Sequence, residues 1–588
     1  MTRVRYLRVL TNSAIASTLL SAYLAIATLF LNPGFPLSAA GPLAAACLLA
    51  YGANAVLVFY ALVVLRQVAA VRVLSPGWIS VRVLSWMGFI AAGTGAGVLW
   101  LNATDFAPFL DADTARRMAL AAIAVGICAA VCFALALAHI GRRGTWPSGV
   151  LLVTTLVASV VVPVVLRGAS TMASTADTAP PATPQPGTSA TTGRVVLLAV
   201  DGASLERIRL GAAEGRMPNL ARALERGAVA HLSTLRPTQA EPIWTSVVTG
   251  RLPQASGVRS AARYQPWLGG PPIDVLPDFV FAQALVRYGF LRAEAHTAAS
   301  MTASPIWRIV SDRGWPVGVV GFPLTHPAAP LQGYVVSDVL HRVDDNRFAL
   351  DGAAAVWPVG LWSAVMAARE RPLSPDPHAV IARAGRLPRT TDADGRIDPA
   401  PVQADGLHLR LLDALETGRR SRFVAFRLPG LDAVGHYFLR YASPSDFGDV
   451  TDAERATYGG VLDDYYGVLD AAIGRLQATL QPDDLVLLVS SHGMEPLNPV
   501  KRVLERLVGD AQLSGTHERA PDGFVLAFGG AVQPGEPDRG SVADITPTIL
   551  YFLGLPIGRD MDGRARSDFF KPEFTASRPL TFIPSYGR

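Results

Sequence analysis

Cysteine is almost absent from this sequence: three residues in 588, at Cys47, Cys128 and Cys132. None lies beyond residue 132, so disulfides cannot hold the long C-terminal part together, and it must be stable through its core. Charge is scarce as well, at 17% of residues against 50% hydrophobic, with a positive mean hydropathy. That balance excludes a purely soluble enzyme. The net charge of +5 is small for this length and gives no argument for a nucleic-acid partner. No internal repeat is visible. No small-residue cleavage site follows the first apolar run, which is too long for a signal-peptide core and reads as a retained anchor.

The apolar excess lies before about residue 167. Crossing a hydrocarbon core takes roughly 20 apolar residues, and five runs approach or exceed that length: Val9 to Leu31, Ala39 to Leu65, Leu84 to Leu101, Met118 to Ile140 and Val150 to Leu166. Arg3, Arg5 and Arg8 precede the first run, Arg66, Arg72 and Arg82 follow the second, and Arg142 and Arg143 follow the fourth. The alternate loops carry no charge (Asn32 to Ser38) or are led by Asp105, Asp111 and Asp113, with Arg116 and Arg117 closing that loop. The positive-inside rule then places the N-terminus in the cytoplasm and everything beyond residue 167 outside the cytoplasmic membrane. The arginines flanking the spans need no partner beyond lipid headgroups, so the bilayer is an expected partner.

Residues 168–193 are rich in Ala, Thr, Ser and Pro and read as a flexible extracytoplasmic tether. The chain beyond begins with Arg194-Val-Val-Leu-Leu-Ala-Val-Asp-Gly202, an apolar strand ending on Asp201. A helical pattern over Met217 to Gly227 and a second apolar stretch from Ala228 to Leu235 follow. The same alternation recurs at Trp307 to Phe322, Leu407 to Leu428 and Tyr458 to Val489, which is the pattern of a doubly wound, mostly parallel α/β sheet. Residues 194–588 are thus expected to form one domain, with a cap or insertion over about 340–404.

Several predicted strand ends carry hard-cation ligands. Asp201 ends the first strand, Asp432 and His436 follow the strand at Phe423 to Leu428, and His492 ends Leu485-Val-Leu-Leu-Val-Ser-Ser-His492; His517 lies in a polar loop. Ligands bind at the carboxyl ends of strands in open α/β sheets, and a mixed Asp and His set suits zinc or manganese. Each residue alone also has an ordinary structural explanation, as a helix cap or a turn residue.

In order along the chain, these pieces resemble the alkaline phosphatase superfamily, in its branch of type I phosphodiesterases and nucleotide pyrophosphatases. The resemblance rests on VVLLAVDG, on Pro237-Thr-Gln-Ala-Glu-Pro-Ile-Trp-Thr-Ser-Val-Val-Thr-Gly250, on the Asp432/His436 pair, on Ser-His-Gly-Met and Gly-Thr-His, and on Val542 to Pro556. It implies two divalent cations, zinc or manganese: Asp432, His436 and His517 at one, Asp201 and His492 at the second. Such a pair stabilises the attacking and leaving oxygens of displacement at phosphorus, with a hydroxyl nucleophile forming a covalent phospho-enzyme. The substrate would be a phosphorylated small molecule or a lipid headgroup; its identity and the oligomeric state are not legible.

Two positions depart from the family pattern. Ser491 stands where the family has an Asp before the strand-end His, and Ala240 falls on the nucleophile position. Thr238 would serve as nucleophile after a two-residue shift; alternatively, Glu241 and Glu495 would restore carboxylates, with water attacking directly. In a third reading the second cation site is lost, and the chain binds an anionic ligand without turning it over. A layout of five spans followed by such a domain also resembles lipid-headgroup transferases, such as phosphoethanolamine transferases.

Overall fold

The computed structural model describes residues 2–69, 76–140, 145–168, 193–278, 282–340, 352–384, 400–508, 510–519 and 521–587. Most of the expected tether and parts of the expected cap (341–351 and 385–399) lie outside the described residues. Contacts group the chain into two compact units, Met1–Asp177 with Arg259–Ala295, and Thr178–Val258 with His296–Arg588.

The first unit is built on helices α1 (Thr2–Leu31), α2 (Ala40–Cys47), α3 (Ala53–Ala69), α4 (Val81–Asp105), α5 (Ala112–Ala138) and α6 (Trp146–Arg167). A single π turn, Leu48–Gly52, joins α2 to α3. Together they supply five stretches long and apolar enough to cross a membrane, one for each run in the sequence. Leu57, Leu65, Ile127 and Val165 lie exposed on them, and apolar side chains so displayed fit a lipid solvent better than water. Arg167, at the end of α6, donates to the carbonyls of Leu29, Asn32, Pro33 and Phe35. Of these, the Leu29 carbonyl lies in the last turn of α1, where carbonyls lack intrahelical partners.

Residues 259–295 join the same unit as a hairpin, in which Ala262–Pro266 pairs antiparallel with Leu291–Ala295. Two asparagines hold the intervening chain. Asn32 accepts from the backbone N–H groups of Asp274 and Val275 and donates to the Val275 carbonyl. Asn102 donates to the Asp278 carbonyl and accepts from the Asp278 N–H, and also donates to the Val98 carbonyl one turn back in α4. An amide side chain, with one acceptor and two donors, can satisfy extended backbone in this way.

The second unit holds a nine-stranded mixed sheet. Its strands are β1 (Val195–Val200), β2 (Ala228–Ser233), β3 (Val317–Val320), β4 (Gly333–Val336), β5 (Val356–Trp357), β6 (Phe423–Leu428), β7 (Leu485–His492), β8 (Asp522–Gly529) and β9 (Gly540–Ser541). Their order is β9-β2-β8-β7-β1-β6-β3-β4-β5. The centre β7-β1-β6-β3-β4 is parallel, whereas β8 runs antiparallel to β2 and β7, and β5 antiparallel to β4. This is the mostly parallel α/β sheet expected from the alternation of apolar strands and helices. β1 and β7 are buried along their whole lengths, as parallel strands covered on both faces must be. Val200 lies opposite both Leu428 and Ser490, so β1 and β6 end level while β7 runs two residues further, to His492, at the same edge.

Candidate metal centre

Asp432 sits in the first turn of the Gly430–Ala442 helix that follows β6, with His436 one turn further along the same face. His492 is the last residue of β7. His517 follows Gly515–Thr516, a short strand paired with Glu495–Pro496. Asp432 Oδ2 lies 3.4 Å from His436 Nε2 and 3.9 Å from His517 Nε2. Ligand atoms of Asp432, His492 and His517 all fall within 4.8 Å of one another. Ring centroids are 5.1 Å apart for His436 and His517, and 4.6 Å apart for His492 and His517.

The histidines are oriented from behind. His436 Nδ1 lies 2.8 Å from the Gly515 carbonyl and His492 Nδ1 3.0 Å from the Gly493 carbonyl. Such contacts require Nδ1–H, which leaves Nε2 with its lone pair forward, the usual arrangement of a metal-ligating imidazole. Asp432 Oδ1 and His517 Nδ1 are buried without a hydrogen-bond partner. Burial would raise the Asp432 carboxyl, but the imidazoles of His436, His492 and His517 outweigh it and hold the group well below its ordinary value. Burial lowers His517 to about 4 against the pull of Asp432. Burial would lower His436, but the neighbouring Asp432 carboxylate and the Gly515 carbonyl together outweigh that cost and move it up. Ionised carboxylate, imidazole nitrogens and unpartnered buried atoms together fit a divalent cation of the zinc or manganese kind.

Asp201 is placed otherwise. Its Oδ1 accepts from Trp244 Nε1 at 2.6 Å, and its Oδ2 accepts from Arg427 Nε at 3.0 Å and from a terminal guanidinium nitrogen. The Ser491 hydroxyl approaches Oδ1 at 3.4 Å. The resemblance groups His492 with Asp201; in the structure the ligand atoms of His492 cluster with those of Asp432 and His517, while Asp201 pairs with a cation of the chain itself. The residues present do not fit a second divalent cation at Asp201, since its carboxylate neutralises Arg427 and its neighbour Ser491 is uncharged.

Around this pair stand Glu241 and Asp338. Glu241 lies in the first turn of the Ala240–Thr249 helix; burial pushes its carboxyl up, against its own backbone N–H and Arg427, with Asp201 and Asp338 adding to the rise. Asp338, just beyond β4, accepts from Thr325 and Ser337 hydroxyls, and burial raises it too. Thr238 is buried, with its hydroxyl donating to the Leu235 carbonyl at 3.2 Å. Glu495 accepts from the backbone N–H of Arg519. Residue-type patterns did not single out Arg427 or Asp338. The legible signal for Arg427 is a guanidinium inside an otherwise apolar strand, where a buried charge demands a partner.

Known proteins place the chain. No curated protein matches it in sequence. Among solved structures, murine ectonucleotide pyrophosphatase/phosphodiesterase 5, as an inactive variant in complex with AMP, aligns at 11% identity and a TM-score of 0.36, covering 64% of this chain and all of that one. Residues 195–542, more than half of the chain, match the family described as type I phosphodiesterase / nucleotide pyrophosphatase. The chain belongs to that family, within the alkaline phosphatase superfamily.

Proposed function

We propose that the protein is a membrane-anchored, metal-dependent phosphoric-ester hydrolase acting outside the cytoplasmic membrane. The observation that carries this reading is the convergence of Asp432, His436, His492 and His517 at the carboxyl edge of the central strands, with buried ligand atoms left unpartnered. A divalent cation bound there would polarise a phosphoryl oxygen and stabilise charge developing on it.

The remaining chemistry falls to the chain. The Ala240–Thr249 helix has Gln239 as its N-cap with no side-chain cap, and a helix N-terminus favours an anionic group. Arg427 adds a guanidinium matched to phosphoryl oxygens. Ala240 cannot attack phosphorus. Thr238 is the available hydroxyl and must give up its bond to the Leu235 carbonyl to attack; the alternative is water activated by Glu241, whose raised carboxyl suits proton transfer.

The test is turnover of an aryl phosphodiester by the full chain in detergent, with zinc or manganese added. Activity no higher than that of the Asp432→Ala, His436→Ala double variant would overturn the reading. Headgroup transfer is a second reading, favoured by one observation: residues 259–295, inside the span matched to the family, form a compact unit with the apolar helices. It predicts dependence on a lipid donor.

A further inference from the structure

The charge arrangement at Asp201 points to a departure in cation number. We propose that this site takes a single divalent cation, at Asp432, His436, His492 and His517, and that Arg427, fixed by Asp201, supplies the second positive charge to a phosphoryl group. The inference rests on the hydrolase reading only for the identity of the ligand, a phosphoryl oxyanion.

Three observations carry it. Asp201 uses both oxygens on protein donors, Trp244 on one side and the Arg427 guanidinium on the other. A second cation would have to approach Asp201 to about 2.0–2.2 Å, into the positive field of a guanidinium that does not deprotonate. Ser491 then removes a carboxylate: its hydroxyl donates weakly to Asp201 and contributes no charge. Finally, His492 belongs to a cluster with Asp432 and His517 that does not include Asp201. The site for one dication and the Arg427 guanidinium would thus both lie at the carboxyl edge of the neighbouring strands β7, β1 and β6.

Arg427 is built in rather than loosely placed. Only 15% of its side chain is exposed. Its own carbonyl accepts from His408 Nδ1 at 2.7 Å, and His408 is packed so tightly beneath Gly321 (φ +68°) that a Cβ there would lie 2.0 Å from the ring. Glycine at 321 therefore admits the histidine that holds the Arg427 backbone. Asp201 takes two guanidinium donors, and Arg has five in a planar fork, so donors remain for an oxyanion. The position also carries the charge that ordinary phosphoryl-transfer sites obtain from metal or arginine clamps.

The test is metal stoichiometry of the full chain in detergent. After chelator stripping, zinc is titrated by calorimetry and the loaded protein is assayed by elemental analysis. One equivalent per chain is expected, and none in the Asp432→Ala, His517→Ala variant. Two equivalents, no equivalents, or an equivalent that survives in that variant would overturn the proposal.

The role of Arg427 is read separately, as inorganic phosphate affinity of the zinc-loaded protein. Because removing Arg427 alone strands Asp201, the variant is Arg427→Gln with Asp201→Asn, which removes both charges together. It should keep one zinc and bind phosphate at least about tenfold more weakly, the scale of one charge-assisted hydrogen bond. Unchanged phosphate affinity, or gain of a second zinc without loss of phosphate binding, would defeat the assignment to Arg427. One equivalent of zinc without ester hydrolysis would leave this inference standing and remove the hydrolase reading; hydrolysis with two equivalents would do the reverse.

Discussion

Arg427 and Asp201 form an ion pair at the carboxyl edge of adjacent strands β6 and β1, with the Asp201 side chain 5% exposed and that of Arg427 15%. The relationship joins a residue from the VDG motif to one that no motif contains. It decides how much positive charge the chain itself brings to the site.

Breaking that pair on one side should be costly. Arg427→Met or Asp201→Ala alone is expected to destabilise the domain by roughly 3–5 kcal/mol, because each leaves a buried charge uncompensated. Thermal unfolding of the purified chain measures this. A charge-neutral double substitution should recover most of the loss, and singles as stable as the native chain would show that the pair does not persist in solution.

The four-residue centre should lose metal in proportion to how directly each residue faces it. Asp432→Ala is expected to lower zinc affinity by at least 100-fold, whereas a change that disturbs only the orienting contact of His436 to the Gly515 carbonyl should cost about 10- to 100-fold. Competition against a chromogenic chelator reads both; equal affinities in native and Asp432→Ala chains would exclude the centre.

Thr238 and Glu241 make opposite predictions. If Thr238 is the nucleophile, Thr238→Val abolishes trapping of a phospho-enzyme and lowers turnover by several orders of magnitude, while Glu241→Gln is mild. If water attacks, Glu241→Gln carries the loss and no phospho-enzyme is trapped. Native turnover in both variants would remove both roles.

A pH prediction follows from Asp405. Burial raises its carboxyl from the ordinary 3.8 to about 7, although the Gly430 N–H and the Tyr465 hydroxyl both donate to it. The folded chain therefore holds a proton that the unfolded chain releases above about pH 4. Stability from this group is fully present below that point and declines as pH rises towards 7, by at most roughly 1.4 kcal/mol per pH unit. Asp405→Asn should flatten that part of the profile. A variant whose stability falls with pH as steeply as the native chain's would contradict the assignment.

Asn32 should be required to hold the chain around Asp274 and Val275. Asn32→Leu removes one acceptor and two donors, leaving backbone groups unsatisfied at about 1–3 kcal/mol each. Limited proteolysis within residues 259–295 is expected to accelerate by at least about tenfold, with Asn102→Leu behaving similarly; unchanged cleavage would show that these contacts are not what orders the segment.

Much of the fold is local in origin and was readable as such. Five apolar runs gave five long helices, and apolar strands ending at Asp201, Leu428 and His492 gave the central parallel strands, because burial on both faces leaves no other composition available. The same logic exposed Asp432 and His436 as polar residues just past an apolar strand, with His517 in a polar loop. The hairpin at 259–295 was not legible, since its partners Asn32 and Asn102 lie more than 150 residues away and look like ordinary loop and helix-end residues.

The sequence by itself determined which ligand types exist, that Ser491 and Ala240 break the family pattern, and that the carboxyl edge of a sheet would collect the rest. Only the tertiary structure decided their grouping. Strand order β7-β1-β6 is non-local, and it is this order that turns His492 toward Asp432 and sets Arg427 against Asp201. Charge pairing at that edge depends on distances of a few ångströms between residues more than 200 positions apart, which no pattern along a single chain encodes.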